Sequence, residues 1–253
     1  MSAPAAAVVR CTLVGAVAVV ALDRPRSRNS LVWESWAGLD EALDEALVAS
    51  VRAVVLVGCG GYFSSGGDLK TTPARGEGPL APVARLDRAQ RVLRRLREFP
   101  VPVVAAVEGG AIGMGWSLVL SCDLVVASRE AMFAAPFVAR GVVPDGGAAW
   151  YLTERLGRHR ASAILLAGER LSAQAAHESG LVATLCDAGS AESVALELAG
   201  AIAAADAGAV TLTKRLLHAA EGADLTRFLA EEQAVAALAQ QGAAAAAGRR
   251  GFG

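Results

Sequence analysis

Lysine is nearly absent from this chain: only Lys70 and Lys214 stand among its 24 basic residues. Twenty-five acidic residues balance them, leaving a net charge of −1 and a pI near 6.3. Domains that hold nucleic acid through bulk charge are strongly basic, so that class is excluded. Long apolar runs are missing too. Mean hydropathy is high, at +0.41, yet the longest apolar stretches, residues 11–22 and 109–122, fall short of the ~20 residues a membrane-spanning helix needs. No Lys or Arg precedes Arg10, so no secretory leader is expected. The expectation is a cytoplasmic protein with no membrane and no nucleic-acid partner. Cysteine is scarce. Cys11, Cys59, Cys122 and Cys186 are scattered without paired metal spacing and read as free thiols, with no metal site. The three histidines, His159, His177 and His218, fall in helical stretches and also lack ligand spacing.

What is present is a 54% hydrophobic chain of 253 residues, too apolar for disorder and long enough for one large domain or two small ones. Residues 8–14 and 17–22, split by Gly15, read as a hairpin. Residues 33–48 carry helical periodicity, with Trp36, Leu39, Leu43 and Leu47 on one face. Residues 53–57 and 101–107 read as buried strands, and 85–99 as a basic amphipathic helix. Short strands are expected at 124–127 and 132–134, and helices near 149–156 and 160–166. Strands alternating with helices indicate an α/β architecture. From about residue 191 the chain is alanine-rich and helical. This divides it into a core over 1–190 and a helical region over 191–253.

Two glycine-rich loops share a design. Each follows a buried strand and leads into a predicted helix: residues 54–57 into Gly66-Gly67-Asp68, and residues 103–107 into Gly113-Met114-Gly115. A helix start presents unsatisfied N–H groups, and glycine permits close approach. Two such starts converging on one point make an oxyanion hole, worth several kcal/mol to a developing enolate. Tight strand-to-helix turns without a ligand have the same spacing. A dinucleotide site does not fit, because Gly110, Gly113 and Gly115 give G-x-x-G-x-G rather than G-x-G-x-x-G.

The residues at these loops carry a family pattern. Phe63-Ser64-Ser65-Gly66-Gly67-Asp68-Leu69 resembles the F-x-A-G-x-D-[IL] signature of the crotonase (enoyl-CoA hydratase/isomerase) superfamily. Gly109 to Gly115 resembles its glycine-rich helix start, and Ser121-Cys122-Asp123 its helix end. Arg24-Pro25 with Asn29-Ser30-Leu31, and Leu171-Ser172-Ala173 through Gly180-Leu181-Val182, resemble two further stretches of the pattern. The resemblance implies a spiral of ββα units forming the core, with a C-terminal helical trimerisation region. It implies an acyl-CoA thioester as ligand, with coenzyme A entering as part of the substrate and no separate cofactor. It implies a homotrimer or a dimer of trimers. By position, the N–H groups of Gly67 and Met114 form the oxyanion hole. Arg26, Arg28, Leu31, Ser65, Asp68 and Leu69 lie along the nucleotide and pantetheine, and Trp116, Ser117 and Phe137 border the acyl group.

The chain departs from the hydratase version of this pattern. The resemblance places that version's two glutamates at Ser117 and Phe137, neither of which replaces a carboxylate. One acid stands in a suggestive place, Asp145 in Val142-Val143-Pro144-Asp145-Gly146-Gly147. A single base there can remove a proton α to a thioester and return it at the γ carbon, and apolar neighbours such as Phe137, Val142 and Trp150 would raise its pKa. Asp145 also reads as a helix N-cap. Double-bond isomerisation with Asp145 as base is thus the expected reaction. Hydration by a non-standard acid/base set, dehalogenation or thioester hydrolysis through Asp145 as nucleophile, and a catalytically silent acyl-CoA-binding subunit are the alternatives. Glu108 reads as a strand-end carboxylate paired with an arginine, and Asp68 as a cap of its helix. The family often continues into a helix carrying a Phe and a Lys beyond the equivalent of residues 249–251. The expectation is either weakened CoA binding or substitution by arginines of the 85–97 helix.

Overall fold

The computed structural model describes residues 7–68, 81–223, 228–229 and 232–235. Two sheets organise the chain. The larger has six strands in the order β1 (Val9–Val14), β2 (Val17–Leu22), β3 (Ala53–Gly58), β4 (Val103–Val107), β6 (Leu124–Ser128) and β9 (Thr184–Cys186). The smaller pairs β5 (Gly110–Ile112), β7 (Met132–Ala134) and β8 (Leu171–Ser172). Strands β1 and β2 form the expected hairpin, turning at Gly15 with φ +58°. From β2 onward the large sheet is parallel, with Val17 opposite Ala53, Val54 opposite Val103 and Val104 opposite Leu124.

Unbroken apolar strands require cover on both faces, and they have it. Helices α1 (Trp33–Val48), α2 (Ala81–Arg97) and α3 (Met114–Leu120) supply one side, where Val20, Val54, Leu56 and Ala105 pack with Trp36, Leu39, Leu43, Leu93 and Leu118. Helix α7 (Ala191–Ala204) supplies the other, laying Ala191, Ala195 and Ala199 on Val19, Val55, Val104 and Val126. The structured core therefore runs past residue 190: the first helix of the segment expected to serve oligomerisation covers its own chain's sheet. Glu108, at the end of β4, anchors that helix by accepting the Ala191 N–H at 2.9 Å. It caps a helix and pairs with no arginine among the described residues.

Helices α4 (Ala148–Leu156), α5 (Arg158–Leu165), α6 (Ala173–Glu178) and α8 (Ala207–Ala220) complete the described elements. Strand β5 is a departure from the expected simple helix start. Residues 110–112 pair with β7, and only from Met114 does the chain turn helical. All four cysteines are free, with Cys122 and Cys186 buried. Among the described residues no single helix is long and apolar enough to cross a membrane.

Candidate active site

Two isolated bridges extend the small sheet and build the first half of the site: Ser64 beside Ala111, and Leu31 beside Gly67. The Leu31 N–H donates to the Gly66 carbonyl at 2.7 Å, and the Asp68 N–H donates to the Leu31 carbonyl at 3.0 Å. In parallel pairing alternate residues bond to opposite sides, so the Gly67 amide turns away from Leu31. Its neighbour on that side is the start of α3. There Gly113, at φ +54°, gives its N–H to the Ala134 carbonyl at 2.8 Å, and Met114 opens the helix. Among the described residues neither the Gly67 nor the Met114 N–H has a backbone partner. The two segments touch. A Cβ on Gly66, where φ is +88°, would stand 2.5 Å from the Ile112 carbonyl oxygen and 3.4 Å from the Met114 nitrogen. Only glycine fits there, and its absent side chain is what lets the two free amides approach.

The second half comes from the loop between the short 3-10 turn at Val138–Arg140 and α4. Ser117 of α3 holds this loop by donating its hydroxyl to the Asp145 carbonyl at 2.9 Å. Gly146 presses on α3 so closely that a Cβ would meet Met114 Sδ at 2.6 Å and Ser117 Cβ at 2.7 Å. The Asp145 carboxylate takes a hydrogen bond from its own backbone N–H. Its Oδ1 is buried with no hydrogen-bond partner, and α4 starts from Gly147 with no side-chain cap. The N-cap reading of Asp145 therefore fails. Burial pushes its carboxyl above the ordinary range, while the Arg85 cation pulls it the other way.

Gly67, Met114 and Asp145 share one cavity of about 330 Å³. Leu31, Trp36, Leu86, Ala89, Ile112, Phe137, Val142 and Val143 make its apolar wall, and Ser65, Arg85 and Arg140 add polar groups. Of the residues singled out in the sequence, this brings together Asp145, Gly67, Met114, Leu31, Ser65 and Phe137. It leaves others out. Ser117 is fully buried behind the Asp145 loop rather than open to the cavity, so its role is to position that loop. Trp116 is core, packed on Phe133 with ring centroids 5.7 Å apart, and does not border the acyl space. Asp68 does not line the cavity: its carboxylate accepts from Arg24 at 3.1 Å and from the Ser30 hydroxyl at 3.1 Å. Arg26 and Arg28 are exposed on their turn, away from the cavity, with Arg28 5.5 Å from the Tyr62 ring centre. Leu69 lies outside the described residues.

Arg140 was not legible as a site residue; Arg85 was expected only as one of the 85–97 helix arginines that could serve CoA, not as part of the wall around Asp145. The other arginines of that helix are largely committed elsewhere. Arg88 stacks on Trp33, Arg91 pairs with Asp87, Arg95 pairs with Asp40 and Asp44, and Arg97 pairs with Glu221 against Trp150 and Tyr151.

Two free amides beside a half-buried carboxylate, in a mostly apolar cavity, define a site for activating a carbonyl and moving a proton next to it. Comparison with known proteins gives the class a family. The enoyl-CoA hydratase/isomerase family model matches residues 13–252, and the chain belongs to that family, within the crotonase superfamily. It is 35% identical over 208 residues to 1,2-epoxyphenylacetyl-CoA isomerase of Escherichia coli K12, covering 81% of this chain and 79% of the relative. It is 33% identical over 218 residues to 2,3-dehydroadipyl-CoA hydratase of the same organism, covering 86% and 84%. The fold superposes on the crystal structure of an enoyl-CoA hydratase from Polaromonas sp. JS666 with a TM-score of 0.92, at 36% identity and 96% coverage of both chains.

Proposed function

We propose that this enzyme shifts the double bond of an enoyl-CoA, with Asp145 as the sole acid/base. The thioester oxygen sits between the Gly67 and Met114 amides. The Asp145 carboxylate takes a proton from the carbon α to the carbonyl. The resulting dienolate places its charge on the oxygen, where the two N–H dipoles stabilise it, and the protonated Asp145 returns the same proton at the γ carbon. The step balances without water, redox partner or cofactor; coenzyme A is part of the substrate. Ser117 keeps the carboxylate loop on α3, and Phe137 fills the place a second acid would need. Arg26 and Arg28, on the exposed turn, would serve the nucleotide end rather than the acyl end. The active form is a homotrimer or a dimer of trimers in the cytoplasm.

The observation that carries this reading is the buried, unbonded Asp145 Oδ1 in the same cavity as the two free amides. The similarity to a relative named as an isomerase points the same way. The test offers purified protein trans-3-enoyl-CoA, trans-2-enoyl-CoA and an aryl-CoA, each repeated with Asp145→Asn. Isomerisation should dominate, and the variant should lose at least ~100-fold in kcat/KM. Robust hydration that survives Asp145→Asn, or binding of every thioester with turnover of none, would sink the proposal.

A further inference from the structure

The cavity carries more positive charge than its acid accounts for. Arg85 and Arg140 both line it, and Asp145 is its one carboxylate among the described residues. Neither guanidinium has a hydrogen bond or ion pair among the described residues, whereas Arg88, Arg91, Arg95 and Arg97 of the same helix all have partners. Arg85 reaches toward the oxyanion end: its Nη2 would lie 3.8 Å from a Cβ built on Gly67. It also lies within electrostatic range of Asp145, yet the two form no ion pair. The remaining wall is largely aliphatic and aromatic. Arg85 is half-buried on this wall and Arg140 stands exposed at its edge. A carboxylate is the natural partner of an unpaired guanidinium, because the planar fork matches two carboxylate oxygens.

We infer that the acyl group this site selects carries its own carboxylate, received by Arg85 and Arg140. The inference rests on the reading of the cavity as the acyl-CoA site. It does not depend on which reaction Asp145 performs. With an uncharged acyl chain the two arginines share the single Asp145 carboxylate, whereas a diacid monothioester supplies a second anion.

The test is binding of unreactive saturated thioesters to the wild-type protein by calorimetry. Succinyl-, glutaryl- and adipyl-CoA are compared with butyryl-, pentanoyl- and hexanoyl-CoA, and free CoA serves as reference. At least one diacid thioester should bind about tenfold more tightly than its monoacid partner, in line with a charge-assisted pair. Arg85→Met and Arg140→Met should each erode that preference and together abolish it, with free CoA binding unchanged. No diacid preference in the wild type overturns the inference, as does a preference that survives both substitutions. An equal loss for diacids, monoacids and free CoA would mean the arginines read the nucleotide, and also overturns it. A protein that ranks the diacids first but isomerises nothing loses the isomerase reading and keeps this one.

Discussion

Asp145 is acidic, half-buried and unbonded at one oxygen, and its titration follows from that. Its pKa is raised above the ordinary 3.8 by burial, with Arg85 as the opposing influence. A general base must be ionised, so isomerase kcat/KM should fall on acidification through a pKa above the usual carboxylate value. Arg85→Met removes the opposing charge and should move that acidic limb to higher pH; a pH–rate profile of both proteins checks it. The stability sign is opposite to that of a salt-bridged acid. The folded state holds the Asp145 proton more tightly than the unfolded chain, so ionisation costs stability as pH rises from the unfolded pKa through the folded one. Asp145→Asn should therefore raise Tm at pH 7 while it destroys activity, and should gain nothing below pH 3.5. Thermal melts at the two pH values decide it. Among residues, Asp145 was singled out by its position in the family pattern; of the apolar neighbours expected around it, Phe137 and Val142 line the cavity and Trp150 does not. Ser117 and Trp116 were not correctly placed, because every residue from Met114 to Leu120 is buried and no polar face shows which side of α3 meets the cavity.

Among the elements, α8 is tied to the core by one ionic cluster. Asp123 accepts Lys214 Nζ at 2.6 Å and the Val103 N–H at 2.8 Å, while Lys214 also donates to the Val101 carbonyl at 3.1 Å. Lys214 has only 7% of its side chain exposed. Asp123→Ala strands that cation and should cost about 3 kcal/mol by denaturant unfolding, since breaking one side of a buried pair leaves an uncompensated charge. The glycine contact between the two amide-bearing segments is as sensitive. Gly66→Ala places a side chain at φ +88° against the Ile112 carbonyl. It should cost ~1–3 kcal/mol of stability and should lower kcat rather than only raise KM, because it separates the two amide donors. Both glycine loops stand out in the sequence as strand-to-helix junctions. What they do not display is the three-residue β5 inside the second one, because so short a strand carries no period of its own.

Across the whole molecule, apolar side chains outside the cavity remain uncovered among the described residues of the single chain: Val138, Trp150 and Leu217 are all at least 45% exposed. Such exposure calls for a partner surface. Light scattering should give three times the 25.7 kDa chain mass, or twice that again; a monomer at micromolar concentration would count against the trimer.

The sequence alone determined the α/β core and the resemblance to the family. Unbroken apolar runs at β2, β3 and β4 can exist only between two covering layers, and the ordered motifs at Phe63–Leu69 and Gly109–Gly115 need no coordinates to be read. Helix α7 was visible as a helix, but that its alanines sit on the sheet was not, because a small-residue face fits a sheet or another subunit equally well. Only the tertiary structure brought the site together: Gly67, Met114 and Asp145 line one cavity, α4 takes no side-chain cap from Asp145, and Arg85 and Arg140 line the same cavity with no ion pair among the described residues. The physical reason is range. Periodicity and turn chemistry act over a few residues, whereas each of these relations joins segments tens of residues apart, and packing alone sets which side chains find partners and which are left for a ligand.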